Sequence, residues 1–97
     1  MRFEILLAPQ AVEDLRKLRA VNRSAIQAAL EEYLRFEPSK ESRSRIKKLK
    51  GLKQPQFRLR INEYRVFYDV TAVAVYVLAV VYKPEAEKWL RERGIKT

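Results

Sequence analysis

The chain contains no cysteine and no histidine, and it has only two glycines and a single tryptophan. Without cysteine there is no disulfide framework, a staple common in small secreted domains. Without cysteine and histidine no standard zinc site, catalytic triad or imidazole acid–base pair can be built. Gly51 and Gly94 stand far apart, so no glycine-rich phosphate loop exists. Long apolar runs are missing as well. Ile5-Leu6-Leu7-Ala8 is cut by Pro9, too short for a signal peptide. The run from Val73 to Tyr82 falls well short of the roughly 20 residues that a membrane-spanning helix needs. The expectation is a soluble protein of the reducing cytoplasm, without membrane contact, metal or cofactor.

What the chain does have is positive charge. Its 97 residues carry 21 Lys and Arg against 12 Asp and Glu, a formal charge of +9. The length is that of one domain, residues 1–97, and the 47% hydrophobic content suffices for one thin core. Any active site must then be a shallow groove on one face. Charge of this density speaks of partners: nucleic acid, an anionic membrane or an acidic protein. Its distribution narrows the choice. Between Lys40 and Arg65 stand ten basic residues (Lys40, Arg43, Arg45, Lys47, Lys48, Lys50, Lys53, Arg58, Arg60 and Arg65). Only Glu41 and Glu63 oppose them, so this stretch holds eight of the nine net charges. A run of nearly pure sign implies an anion-binding face, and Arg45, Lys47, Lys48, Lys50, Lys53 and Arg60 are its candidate phosphate contacts.

Hydrophobic spacing predicts the elements. Phe3, Ile5 and Leu7 alternate as a short strand. Pro9 suits the first turn of a helix carrying Ala11, Val12, Leu15 and Leu18. Asn22 is placed to cap a second helix with Ile26, Leu30, Tyr33 and Leu34 on its buried stripe, stopping before Pro38. Ser39 to Arg45 reads as a surface loop, and Ile46 and Leu49 as a brief strand or turn ended by Gly51. Phe57 to Ile61 and Tyr64 to Tyr68 alternate strictly on either side of Asn62-Glu63, the spacing of a tight hairpin. Val73 to Tyr82 is apolar on both faces, as a central strand should be. Pro84 opens a last helix, with Glu85 and Glu87 at its start, Arg91 and Arg93 at its end and Gly94 beyond. The order β-α-α-β-β-β-α implies an α+β fold, an antiparallel sheet with the two N-terminal helices packed on one face.

The hairpin sorts its own side chains. Pairing across Asn62-Glu63 sets Ile61 against Tyr64, Leu59 against Val66 and Phe57 against Tyr68 on the core side. Arg60 then faces Arg65, and Arg58 faces Phe67, on the other side. Like charges directly across a strand pair are destabilising, so the cluster makes sense where an anion sits, and arginine presents a fork matched to phosphate. Lys83 falls at the end of the central strand. Trp89, nearby in sequence, could stack on a base or, with Ala86 and Leu90, pack as a helical stripe. A catalyst built of these residues must work mainly by charge. Cleavage of RNA permits that, because the 2′-hydroxyl is the substrate's own nucleophile.

The element order, Lys48-Leu49-Lys50-Gly51, Phe57-Arg58-Leu59-Arg60 and Tyr64-Arg65-Val66-Phe67-Tyr68 together resemble the RelE/ParE toxin superfamily, most closely its RelE-like branch, from Phe3 to about Trp89. The resemblance implies the toxin of a type II toxin–antitoxin system. Such a toxin is a metal-independent endoribonuclease that cuts mRNA in the ribosomal A site. A cognate antitoxin, here expected to be acidic, silences it, and it meets operator DNA only through the antitoxin complex. Carried over, the resemblance makes Arg65 the transition-state arginine, Arg58 the basic residue of the first hairpin strand and Lys83 the counterpart of an arginine after the central strand. A second basic position falls on the uncharged Gln56, and a C-terminal tyrosine aligns with Trp89. Glu63, Tyr82, Glu85 and Glu87 are the nearby groups able to exchange a proton in its place. The alternatives are a ParE-like DNA gyrase poison and a non-catalytic nucleic-acid-binding module of the same fold.

Overall fold

A computed structural model describes residues 1–97. Its elements are β1 (Glu4–Leu7), α1 (Pro9–Arg16), α2 (Ala20–Leu34), β2 (Ile46–Lys48), β3 (Leu52–Gln54), β4 (Phe57–Ile61), β5 (Tyr64–Val70), β6 (Ala74–Tyr82), α3 (Ala86–Arg93) and β7 (Ile95–Lys96). One 3₁₀ turn, Lys83–Glu85, joins β6 to α3. Five strands form the main sheet in the order β1-β6-β5-β4-β2.

The fold is α+β, as expected, and the hairpin pairs residue for residue in the expected register, from Ile61 with Tyr64 to Phe57 with Tyr68. Asn62 takes the left-handed conformation at φ 51°, which asparagine tolerates better than most residues. The apolar strand β6 is interior and bonded on both sides, but β5 holds the middle of the sheet. The partner of β6 at the edge, β1, runs parallel to it, Ile5 beside Val75 and Leu7 beside Val77. The sheet is therefore mixed at one edge and antiparallel elsewhere.

Helices α1 and α2 cover one face. Ala11, Leu15, Ile26, Leu30 and Leu34 meet Ile46, Leu59, Val66, Tyr68, Val75 and Val77 in the main core. Tyr68 is fully buried there and its hydroxyl donates to the Pro38 carbonyl at 2.6 Å. The opposite face is covered by α3 and by Leu49. Trp89, Leu90 and Ala86 pack on Phe67, Ala79 and Val81.

Two irregularities were not legible in the sequence. Val77 pairs with Tyr68 and Ala79 with Phe67, so Leu78 is an unpaired bulge residue in β6. The Asp14 carboxylate, reaching up from α1, accepts the Val80 amide just beyond it at 2.9 Å. Secondly, β7 pairs with β3 and straps the end of α3 to the body. Helix α2 also starts at Ala20, ahead of the expected cap. Asn22 lies inside its first turn with the side chain toward the Tyr64 hydroxyl, and Arg23 instead bonds the Leu18 carbonyl at 3.0 Å to close the turn between the helices.

Candidate nucleic-acid interface

The register that buries Leu59 and Val66 under the helices turns Arg58, Arg60 and Arg65 to the other face. Lys47 on β2 lies across from Arg58, and Arg58 across from Phe67. In the next row Arg60 lies across from Arg65, and Arg65 across from Val81. Lys83 continues the ladder, its amide donating to the Glu63 carbonyl at 2.7 Å. Lys47, Arg58, Arg65 and Lys83 thus come from four neighbouring strands or strand ends to line one open groove of about 660 Å³. Leu49, Phe67, Pro84, Ala86 and Leu90 supply its apolar lining, and Glu63 and Glu87 its only carboxylates.

Of the four cations Arg65 lies deepest, at 6% exposure. Its Nη1 donates to the Asn62 and Tyr64 carbonyls at 3.1 and 2.9 Å, which anchors the guanidinium to its own hairpin turn. Arg58 is half-buried, and its Nε has no hydrogen-bond partner. A buried donor left unpaired is costly, and a charged one more so. Burial, followed by repulsion from Arg60, pushes the Arg58 pKa down from its ordinary value. Burial likewise lowers that of Arg65, with repulsion from Arg60 and Arg58 adding to it and Glu63 opposing it. The ion pairs of the chain are Arg16–Glu13, Arg35–Glu31 and Lys40–Glu37, none of them in the groove. Positive charge is therefore gathered, partly desolvated and left without neutralising contacts, an arrangement complementary to a phosphate chain.

The expected contacts divide between this groove and the rest of the surface. Arg58, Arg65, Lys83 and Lys47 are brought together, with Arg60 beside them. Lys48 pairs with Phe57 and so belongs to the opposite face from Lys47. Lys50 and Lys53 are exposed on the turn and strand beyond and do not line the groove. Arg45 is diverted: Nη1 donates to the Arg60 carbonyl at 3.2 Å, and its guanidinium sits 5.3 Å from the Tyr33 ring centre. It lines a separate hollow with Glu32, Glu37 and Glu41, a mixed-charge setting unsuited to phosphate.

Trp89 stands outside this groove. Its ring lies parallel to Phe67 with centroids 4.8 Å apart, and it borders hollows outside the groove. Phe67 itself is fully covered. The groove therefore offers charge to a backbone and no open aromatic face to a base. Gln56 is also committed elsewhere, its Oε1 accepting the Val70 amide at 2.9 Å. Of the proton-exchanging candidates, Glu63 and Glu87 line the groove. Tyr82 packs against Tyr64 on the face of the main core, and Glu85 turns toward Lys88 and Glu92. The covering role of Phe67 was missed. An apolar residue sharing a face with three arginines was the available signal that a helix covers that spot.

Comparison with known proteins agrees with this architecture. The family model described as ParE toxin of type II toxin–antitoxin system, parDE, matches residues 5–88. No curated protein sequence matches significantly. Among solved structures, the chain is similar to the free-state double arginine-to-alanine mutant of the E. coli toxin RelE, at 27% identity and TM-score 0.71, covering 95% of this chain and 94% of that one. It is similar to the archaeal RelE–RelB complex from Pyrococcus horikoshii OT3, at 22% identity and TM-score 0.70, covering 86% and 97%. The YoeB dimer from Staphylococcus aureus gives 21% identity and TM-score 0.56, covering 84% and 98%. With a RelE-like fold throughout and a family model spanning most of its length, the chain belongs to the ParE toxin family of type II toxin–antitoxin systems.

Proposed function

We propose that this toxin is a ribosome-dependent mRNA endonuclease of the RelE type. The observation that carries the reading is the convergence of Lys47, Arg58, Arg65 and Lys83 on one groove without a neutralising ion pair. Bound there, an RNA phosphodiester places its 2′-hydroxyl, the nucleophile, within the same charged field. Arg65, held by its turn carbonyls, presents its remaining N–H groups to the non-bridging oxygens as negative charge builds on them. Arg58 supplies a second fork, and Lys83 faces the leaving oxygen. Lys47 and Arg60 follow the backbone on either side. The lack of an open stacking surface fits a nuclease whose message is held and oriented by the ribosome, since orientation supplied by a scaffold replaces orientation by base contacts.

The partners follow from the same charge. An acidic antitoxin segment that orders on contact suits the basic face, and the Pyrococcus horikoshii homologue was solved with its RelB. Operator DNA is met only through that complex, and the site of action is the cytoplasm.

Induced expression of the chain alone, with primer extension on a translated message, tests the reading. Cuts within codons that vanish when translation is blocked, and vanish with Arg65→Ala, are expected. A fully toxic Arg65→Ala chain would overturn it. The family-model match to ParE favours a second reading, poisoning of DNA gyrase. Growth arrest with broken DNA and an uncut message would establish that reading instead.

A further inference from the structure

Cleavage through the 2′-hydroxyl needs a group that accepts its proton, and the chain has no histidine for the task. The groove offers two carboxylates, Glu63 and Glu87. Of these Glu63 sits in the hairpin turn from which Arg65 projects, whereas Glu87 belongs to α3. The Glu63 backbone is held from both sides. Arg65 Nη1 bonds the carbonyls of Asn62 and Tyr64, the residues flanking Glu63, and the Lys83 amide bonds the Glu63 carbonyl at 2.7 Å. One turn therefore fixes the spacing of Glu63, Arg65 and Lys83. Glu63 itself forms no ion pair and is an exposed residue of the groove lining.

We propose that Glu63 is the general base of the cleavage, an assignment that rests on the nuclease reading above. Its carboxylate takes the 2′-hydroxyl proton as the 2′ oxygen bonds to phosphorus. The bond from phosphorus to the 5′ oxygen breaks, and that oxygen leaves with a proton from the Lys83 ammonium, which solvent restores. Glu63 returns its own proton to solvent. The products are a 2′,3′-cyclic phosphate and a 5′-hydroxyl, with no oxidant or further reactant required.

The test is single-turnover cleavage of a ribosome-bound message by the purified toxin across a pH series, comparing the native chain with Glu63→Gln, Glu85→Gln and Arg65→Ala. Glu63→Gln is expected to slow cleavage about 10²–10⁴-fold and to abolish the rise of rate with pH on the acid side. Ribosome binding and thermal melting should stay unchanged, and Glu85→Gln, outside the groove, should cut like the native chain. If Glu63→Gln keeps the native rate and pH profile while Arg65→Ala is inactive, the assignment falls and the nuclease reading stands. A native chain that leaves the message uncut overturns both.

Discussion

The two faces of the sheet are built from the same strands and serve opposite ends. Toward α1 and α2 the strands present Ile46, Phe57, Leu59, Ile61, Val66, Tyr68, Val75 and Val77, closed over by two helices. Toward α3 the buried residues are Phe67, Ala79 and Val81, and around them stand Lys47, Arg58, Arg60 and Arg65. Each fully buried aliphatic side chain contributes about 1.5–3 kcal/mol, so the first face carries most of the stability. The second face gathers repelling cations and leaves the Arg58 Nε unpaired, which costs stability and prepares a site. The core under the helices makes that cost tolerable.

Substitutions on the two faces should therefore separate folding from activity. The largest effect is expected from Leu59→Ala, which opens a fully buried site beneath the helices. It should cost about 2–5 kcal/mol in denaturant unfolding, and a loss below 1 kcal/mol would show that the helix face is not the stabilising one. Arg65→Ala should show the reverse pattern, with message cleavage falling about 10²–10³-fold and a smaller loss of stability than Leu59→Ala, from the two turn hydrogen bonds it gives up.

A pH series sharpens the contrast. Burial pushes the Tyr68 phenol far above its ordinary value. Its contribution is complete below about pH 10, where the unfolded phenol is also neutral, and is lost as pH rises beyond that. Tyr68→Phe should flatten this alkaline loss, and should cost about 0.5–1.5 kcal/mol at neutral pH through the missing bond to the Pro38 carbonyl. The smallest effect concerns neighbouring lysines. Lys47→Ala should reduce the salt dependence of RNA binding by about 0.7 in log–log slope, whereas Lys48→Ala, on the other face, should leave it unchanged. Equal slopes for the two would dissolve the distinction between faces.

The hairpin was legible because strict alternation and a two-residue turn fix side-chain direction locally. That parity placed Arg58, Arg60 and Arg65 on one face and predicted the register through to Phe57 and Tyr68. A run of charge has no parity of its own, so it did not distinguish Lys47 from Lys48 or foresee Arg45 lying by Tyr33. Trp89 allowed two readings, and its place was decided by Phe67, twenty-two positions earlier in the chain. The parallel pairing of β1 and the β3–β7 strap depend on long-range closure, which local spacing does not encode. Nothing in local spacing marks Asp14 as the acceptor of the Val80 amide, 66 positions along the chain.

The unpaired Leu78 has a consequence beyond the strand that contains it. Before it, the odd-numbered Val75 and Val77 point toward the helix pair; after it, the odd-numbered Ala79 and Val81 point toward α3. Lys83 inherits the second phase. Were Leu78 paired in register instead of bulged out, every odd-numbered residue of β6 would point toward the helix pair, and the lysine would emerge on the side of the stable core, away from Arg58 and Arg65. One surplus residue, followed by an amide that the α1 aspartate accepts, thus acts as a frameshift in three dimensions. It lets a single strand spell a scaffold in its first half and a reactive surface in its second.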